Sequence, residues 1–393
     1  MIFLALFAAA ISPTQVATFT NGLEVVGVRI PGASSFSVQA FVRTGSAYES
    51  KETNGVNHLL EHMLFRRGKA DSIAENAGAL LNATTYREMT RFFCEGPTSA
   101  WQEGLRSVAT ILERPSLTDL TIETGVVAEE SALRYIRSSA LIDDLLWGSF
   151  GAGSAWSLSA IGDMGAVKAA KAATLQAIYD RAYVGGNIVV AAVGDFEPAF
   201  AIEHAKKLFA KVPAGARSMG APPLPTFTPG KVAAAIGGSW VAIGLHAPGF
   251  DTPESYICHE MAFDLLAGVG GLASQEGLER EVFFGPSERG SLATLVFRLE
   301  TTGDVEATVR GVLGKLAKGP TSTEFEELKL SLEARYRAHD RSPSDKAMLV
   351  GLARLFAGSE IDWRAIVKDT TLAKIQFVCK KFAPDQLLMM AGR

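Results

Sequence analysis

Two imidazoles and a carboxylate occur at helical spacing in His58-Leu59-Leu60-Glu61-His62. At about 100° per residue, His58, Glu61 and His62 fall within one arc of a helix, while Val56, Leu59, Leu60, Met63 and Leu64 take the opposite side. One face packs and the other chelates. Imidazoles one turn apart can each aim a nitrogen at a tetrahedral Zn²⁺, and the carboxylate beside them can hold the attacking water. This H-x-x-E-H order reverses H-E-x-x-H. The competing reading is a set of solvated residues on an amphipathic helix. A chain with only six histidines makes that coincidence improbable.

Zinc held by two histidines takes a third protein ligand. The helical stretch IETGVVAEESALRYI offers Glu123, Glu129 and Glu130. Its phase places Glu130 within a stripe formed by Val126, Val127 and Leu133, facing the core, where an unpaired carboxylate is costly and a metal or cationic partner is expected. Glu123, two turns earlier on nearly the same line, is placed to hydrogen-bond a ligand imidazole. Glu129 falls nearer the edge of the stripe and reads as solvated.

The elements that must position these groups alternate along the chain. Short β-rich runs with Asn21-Gly22 and Pro31-Gly32 turns fill Val16 to Thr44. Helical patterns follow at Val56 to Phe65, Leu105 to Leu112, Ile122 to Ile136 and Ala166 to Tyr183, then a strand at Ile188 to Val193 and a helix at Ala199 to Phe209. Proline, glycine and small residues dominate from Pro213 to Gly230, as in a linker. Beyond it the first half is echoed: Phe19-Thr20-Asn21-Gly22 by Phe227-Thr228-Pro229-Gly230, and VQAFVRTG by VAIGLHAPG, with helices near Ser255 to Leu266 and Thr323 to Arg337. The expectation is an α+β chain of two similar α/β-sandwich domains, a duplication, spanning residues 16–213 and 231–393 with 214–230 between them.

Composition bounds the partners. The 393 residues are 48% hydrophobic and 20% charged, enough for large cores, and 38 basic against 42 acidic residues leave a net charge of −4. Nothing there attracts a nucleic-acid backbone. Three distant cysteines make no disulfide framework. The apolar run Ile2 to Ile11, followed by Ser12 and Pro13, resembles a secretory signal within residues 1–15, although no Lys or Arg precedes Arg29. A periplasmic or secreted location is the first expectation, a cytoplasmic or organellar one the alternative. No segment is long and apolar enough for stable membrane insertion.

Four stretches together resemble the pitrilysin, insulinase and mitochondrial-processing-peptidase group of zinc metallopeptidases: GVNHLLEHMLFRRG, ENAGALLNATTYREMTRFF, GVVAEE and YVGGNIVVAAVGDFEP. The resemblance covers most of residues 19–212 and is diffuse beyond. It implies the LuxS/MPP-like metalloprotease fold and an endopeptidase of inverzincin type with one Zn²⁺ per chain. His58, His62 and Glu130 become its ligands, Glu61 the general base and Glu123 a supporting acid. Asn82 and Ala83, with Thr84, match an edge strand that pairs with an extended peptide substrate by β-augmentation. The family's self-sufficient members carry an arginine and a tyrosine seven residues apart in the second domain. Here those positions fall on Arg280, which reads as a substrate contact or a helix-surface charge, and Ser287, which supplies no phenol. The resemblance therefore also implies a homodimer or a heterodimer with a related chain, closing a chamber, or a structural subunit without turnover. His259-Glu260-Met261-Ala262-Phe263 lacks a second imidazole and reads as structural. Gly268 to Ala273 reads as a helix-ending loop rather than a dinucleotide loop. His204, His246 and His339 show no ligand partners.

Overall fold

The computed structural model describes residues 13–392 except 66–68, 218–219, 221, 235 and 301. Most of the signal-like run thus lies outside the described residues. Thr14 and Gln15, at its boundary, are already paired in the first sheet.

The first half begins with strands β1 (Thr14–Thr18), β2 (Glu24–Arg29) and β3 (Ser35–Val42), followed by helices α1 (Val56–Phe65) and α2 (Lys69–Asn76). Strands β4 (Leu80–Thr85) and β5 (Thr90–Pro97) form a hairpin. Helices α3 (Trp101–Ile111), α4 (Leu120–Arg134), α5 (Ser138–Phe150), α6 (Met164–Ala169) and α7 (Ala172–Ala182) follow, and β6 (Ile188–Gly194) and α8 (Pro198–Leu208) close the half. The second half runs β7 (Gly230–Val232), β8 (Val241–Pro248), α9 (Pro253–Ala267), α10 (Leu272–Gln275), β9 (Leu278–Phe283) and β10 (Gly290–Leu299). It continues through α11 (Val305–Leu316), α12 (Ser322–His339), α13 (Pro343–Leu352), α14 (Trp363–Asp369), α15 (Leu372–Cys379) and β11 (Leu388–Ala391).

The two halves repeat one topology. Sheet order is β1-β2-β6-β3-β5-β4 in the first and β7-β11-β8-β10-β9 in the second. With β1 set aside, each has one parallel pair, β2 with β6 and β7 with β11, and antiparallel pairing elsewhere. The expected duplication is present, and each helix of the second half follows the same strand as its counterpart.

The central strands of both sheets are buried on both faces, which explains their continuous apolar runs. In β6, Ile188, Val190 and Ala192 enter the core beneath α1, α3 and α7, while Val189, Ala191 and Val193 enter the core shared with the second half. That shared core is closed by an exchange of helices. From the second half, α13 packs on β3 and β6; from the first, α5 packs on β8 and β10. Gly351 in α13 lies so close to Phe41 that a Cβ would come within 2.0 Å of its ring. A buried Arg43–Glu288 pair at 2.6 Å and an Arg354–Glu24 pair at 2.6 Å also bridge the halves.

Three local expectations change. The helix expected over Ala166 to Tyr183 is two helices, interrupted where Ala170 and Lys171 turn extended. The helix expected from Leu105 begins at Trp101. Arg280 lies in β9, not on a helix: alternation of side chains in LEREVF over a buried Leu278 serves a sheet edge.

Candidate metal and peptide site

Helix α1 is set in place by a buried carboxylate. Glu49 accepts from the backbone N–H of Asn57 (2.7 Å) and Gly55 (2.8 Å) and from the side-chain amides of Asn57 (2.9 Å) and Asn54 (3.0 Å). A negative charge on the unpaired amides at the start of a helix is favourable. Gly55 is required there, since its φ is +95° and a Cβ would meet Val167 at 2.6 Å. Asn57 also accepts from Thr44 Oγ1 at 2.6 Å and donates to the Gly45 carbonyl. Neither Glu49 nor Asn57 stood out in the sequence. An acid a few residues before a helix, with an asparagine at its start, was the signal available.

From this anchored helix Val56, Leu59, Leu60, Met63 and Leu64 enter the core, and the opposite face carries His58, Glu61 and His62. The Nε2 atoms of His58 and His62 lie 3.3 Å apart, and Glu130 Oε2 from α4 stands 3.4 Å from each. Glu61 belongs to the same cluster, its carboxylate within 4.8 Å of both imidazoles. Tetrahedral donors 2.0–2.1 Å from a zinc ion are separated by about 3.3 Å, so the triangle fits that ion. His62 Nδ1 faces Glu123 at 3.5 Å, and Glu61 accepts from Thr85 Oγ1 at 2.6 Å.

The acids and imidazoles also shift one another's protonation. Interaction with His58 holds the Glu130 carboxyl below its ordinary range. Burial works against a charged His58, yet Glu130 and Glu61 outweigh it and raise its pKa. Burial raises that of Glu61.

The route by which Glu130 arrives differs from expectation. Val126 and Leu133, taken as core residues beside it, are 38% and 66% exposed, and Glu130 is half-buried. Helix α4 buries Thr124, Val127 and Ser131 instead, turning a narrow face of small residues inward so that Glu123 and Glu130 can flank the histidines. Glu129 is exposed.

A cavity of about 360 Å³ opens over the cluster. Asn82, Ala83, Thr84 and Thr85 of β4 form one wall; Glu130, Arg134, Ala160 and Ile161 complete it. Strand β4 is the edge of its sheet, so one row of its backbone groups is free of strand pairing among the described residues. Asn82 and Ala83 thus reach the site. Arg280 does not: its Nε and Nη2 donate to the carbonyls of Ala267 (2.8 Å) and Gly268 (2.9 Å) at the end of α9, a favourable place for a cation. Ser287 is buried and donates to the Gly290 carbonyl at 2.5 Å.

The model of the insulinase family (peptidase family M16) matches residues 24–143, and that of the peptidase M16 inactive domain matches residues 169–332. The chain is 29% identical over 210 residues to the mitochondrial-processing peptidase subunit beta of Caenorhabditis elegans, covering 51% of this chain and 46% of that one. The match thus spans about half the length of that relative. Among solved structures, a protease from Helicobacter pylori superposes with a TM-score of 0.83 at 21% identity, over 96% of this chain and 98% of that one. A chain of complex III2 from Candida albicans, with Inz-5 bound, gives 0.81 at 16% identity, over 96% and 95%. At such identities these structures speak for the fold alone.

Proposed function

Because the chain belongs to the insulinase (M16) family of peptidases, we propose that it is a zinc-dependent endopeptidase acting on extended or unfolded peptides. The carrying observation is the triangle of His58 Nε2, His62 Nε2 and Glu130 Oε2, with sides of 3.3–3.4 Å. Zinc held by those three atoms would act as a Lewis acid on the scissile carbonyl and bring the pKa of water towards about 7. Glu61 takes the proton of the attacking water and delivers it to the leaving amine. The Thr85 hydroxyl fixes the orientation of Glu61, and Glu123 that of the His62 ring. An extended peptide added to the free edge of β4 at Asn82 and Ala83 would present its backbone to the cluster with little regard for its side chains. Zinc content of the purified chain, measured beside cleavage of a peptide library with and without chelator, tests this: one zinc per chain and chelator-sensitive cleavage are expected. A chain that cleaves equally well without metal would refute it.

A second reading has its own observation. Arg280 is committed to the end of α9, and residues 169–332 match a domain described as inactive. On that reading the chain works beside a related chain, as a heterodimer partner or an assembly subunit. Zinc binding without cleavage, both alone and with a related partner chain, would favour it. The mitochondrial name of the relative favours an organellar location over a periplasmic or secreted one.

A further inference from the structure

The cavity over the cluster continues into a second one of about 370 Å³ between the halves, walled by Trp147, Trp156, Phe283 and Phe284. Thr84, Thr85, Arg134 and Ala160 belong to both. Arg134 sits one turn beyond Glu130 on α4, and (i, i+4) residues share a helix face.

The guanidinium of Arg134 keeps one donor unfilled. Its buried Nε has no hydrogen-bond partner among the described residues. Its nearest carboxylates, Asp144 and Asp143, stand 3.8 and 4.0 Å from Nη2, beyond hydrogen-bond reach. Both are engaged elsewhere. Asp144 accepts from Tyr135 (2.7 Å) and Ser159 (3.0 Å) and lies 3.6 Å from Arg87, and Asp143 accepts from Thr294. Arg87, Arg134, Asp143 and Asp144 make a charge-balanced group, so a further anion gains little there. Asp144 Oδ1 and Arg87 Nη2, also without hydrogen-bond partners among the described residues, face each other at 3.6 Å; the Arg134 Nε is the donor left over, which suits a neutral acceptor.

An extended peptide on β4 turns one row of its carbonyls towards that strand and the other row away from it. The outward row must find donors elsewhere, and α4 supplies Arg134 within the same cavity. We propose that Arg134 is a substrate-binding residue that donates to an outward-facing peptide carbonyl beside the scissile bond. The inference rests on the peptidase reading of the cluster.

Binding is measured in the zinc-loaded full chain carrying Glu61→Gln, so that no turnover intervenes. The probe is a fluorescent decapeptide of mixed sequence, once with a C-terminal amide and once with a free carboxylate. Adding Arg134→Met should weaken both forms alike, by roughly 10-fold, with zinc content and melting temperature unchanged. Arg134→Gln, which keeps neutral donors, should restore most of the binding, and Arg134→Lys less. Unchanged affinity in Arg134→Met, no binding of either probe to the Glu61→Gln chain, or loss of zinc in Arg134→Met would overturn the assignment. So would rescue by Lys but not Gln with the loss confined to the free carboxylate, which would mark an anion site. Arg134-dependent binding in a chain that, with Glu61 intact, cleaves nothing would sink the peptidase reading and leave the carbonyl contact standing.

Discussion

Helices α1 and α9 occupy the same place in the two halves, each following the central strand of its sheet, and each carries a histidine and a glutamate. In the first half, α4 brings Glu130 to meet two imidazoles at 3.4 Å. In the second, the counterpart α12 brings Arg335 and Tyr336, which bind Glu260 at 2.7 and 2.8 Å; Arg335 also reaches Asp264 at 2.7 Å. His259 donates from Nδ1 to the Ser255 carbonyl, and burial pushes its pKa down to about 4. One fold position thus sets its acids beside two imidazoles, while the other sets its acids against a guanidinium. Relief of a buried carboxylate is needed in both places. A side chain provides it in the second half, and in the first the proposed zinc would provide it.

The largest test of that contrast is Glu61→Gln, which should leave zinc bound and reduce kcat/KM about 10³-fold or more; the matched Glu260→Gln should leave both zinc content and cleavage unchanged. Next, Glu130→Gln should weaken zinc binding at least about 100-fold by removing one of three protein ligands. Glu123→Gln, acting through the His62 ring, should cost roughly 10- to 100-fold. Zinc titration with a competing chelator separates the two, and equal effects would erase the distinction between ligand and supporting acid. Arg335→Met in the second half should lower stability by about 1–3 kcal/mol in denaturant unfolding, discounted for partial exposure, without touching zinc affinity.

A last effect, of comparable size, concerns the seam between the halves. Burial raises the pKa of Glu88 to about 7, where it accepts from the Glu288 backbone N–H at 3.1 Å. Its folded pKa exceeds the unfolded value of about 4.5, so the folded state binds more protons between them, and stability falls as pH rises from about 4.5 through 7. Glu88→Gln should flatten that fall, by on the order of 2 kcal/mol. An unchanged pH profile of unfolding would remove Glu88 from the account.

The legible part of the site was the part confined to one helix. His58, Glu61 and His62 needed only the period of α1 to converge. Glu130 was identified for a reason the structure does not support. Apolarity suggested that Val126 and Leu133 were packed, whereas α4 turns Thr124, Val127 and Ser131 inward. Glu49 and Asn57 escaped notice because their polar types carry no periodic signal before the fold buries them against each other, and Arg134 because only the packing of α4 brings it into the cavity. Arg280 was drawn towards the site by similarity, yet the end of α9 claims its donors.

The chain by itself determined the periods: which stretches form strands buried on both faces, which helix presents two imidazoles together, and that the pattern occurs twice. Covalent spacing and backbone geometry suffice for those, because the groups involved are at most a few residues apart. Tertiary structure decided which acid meets the histidines, that α5 and α13 cross to the opposite sheets, and that an arginine meets the acid in one half where imidazoles meet it in the other. Those outcomes depend on sums of burial and charge over residues dozens to hundreds of positions apart. No local pattern carries such sums.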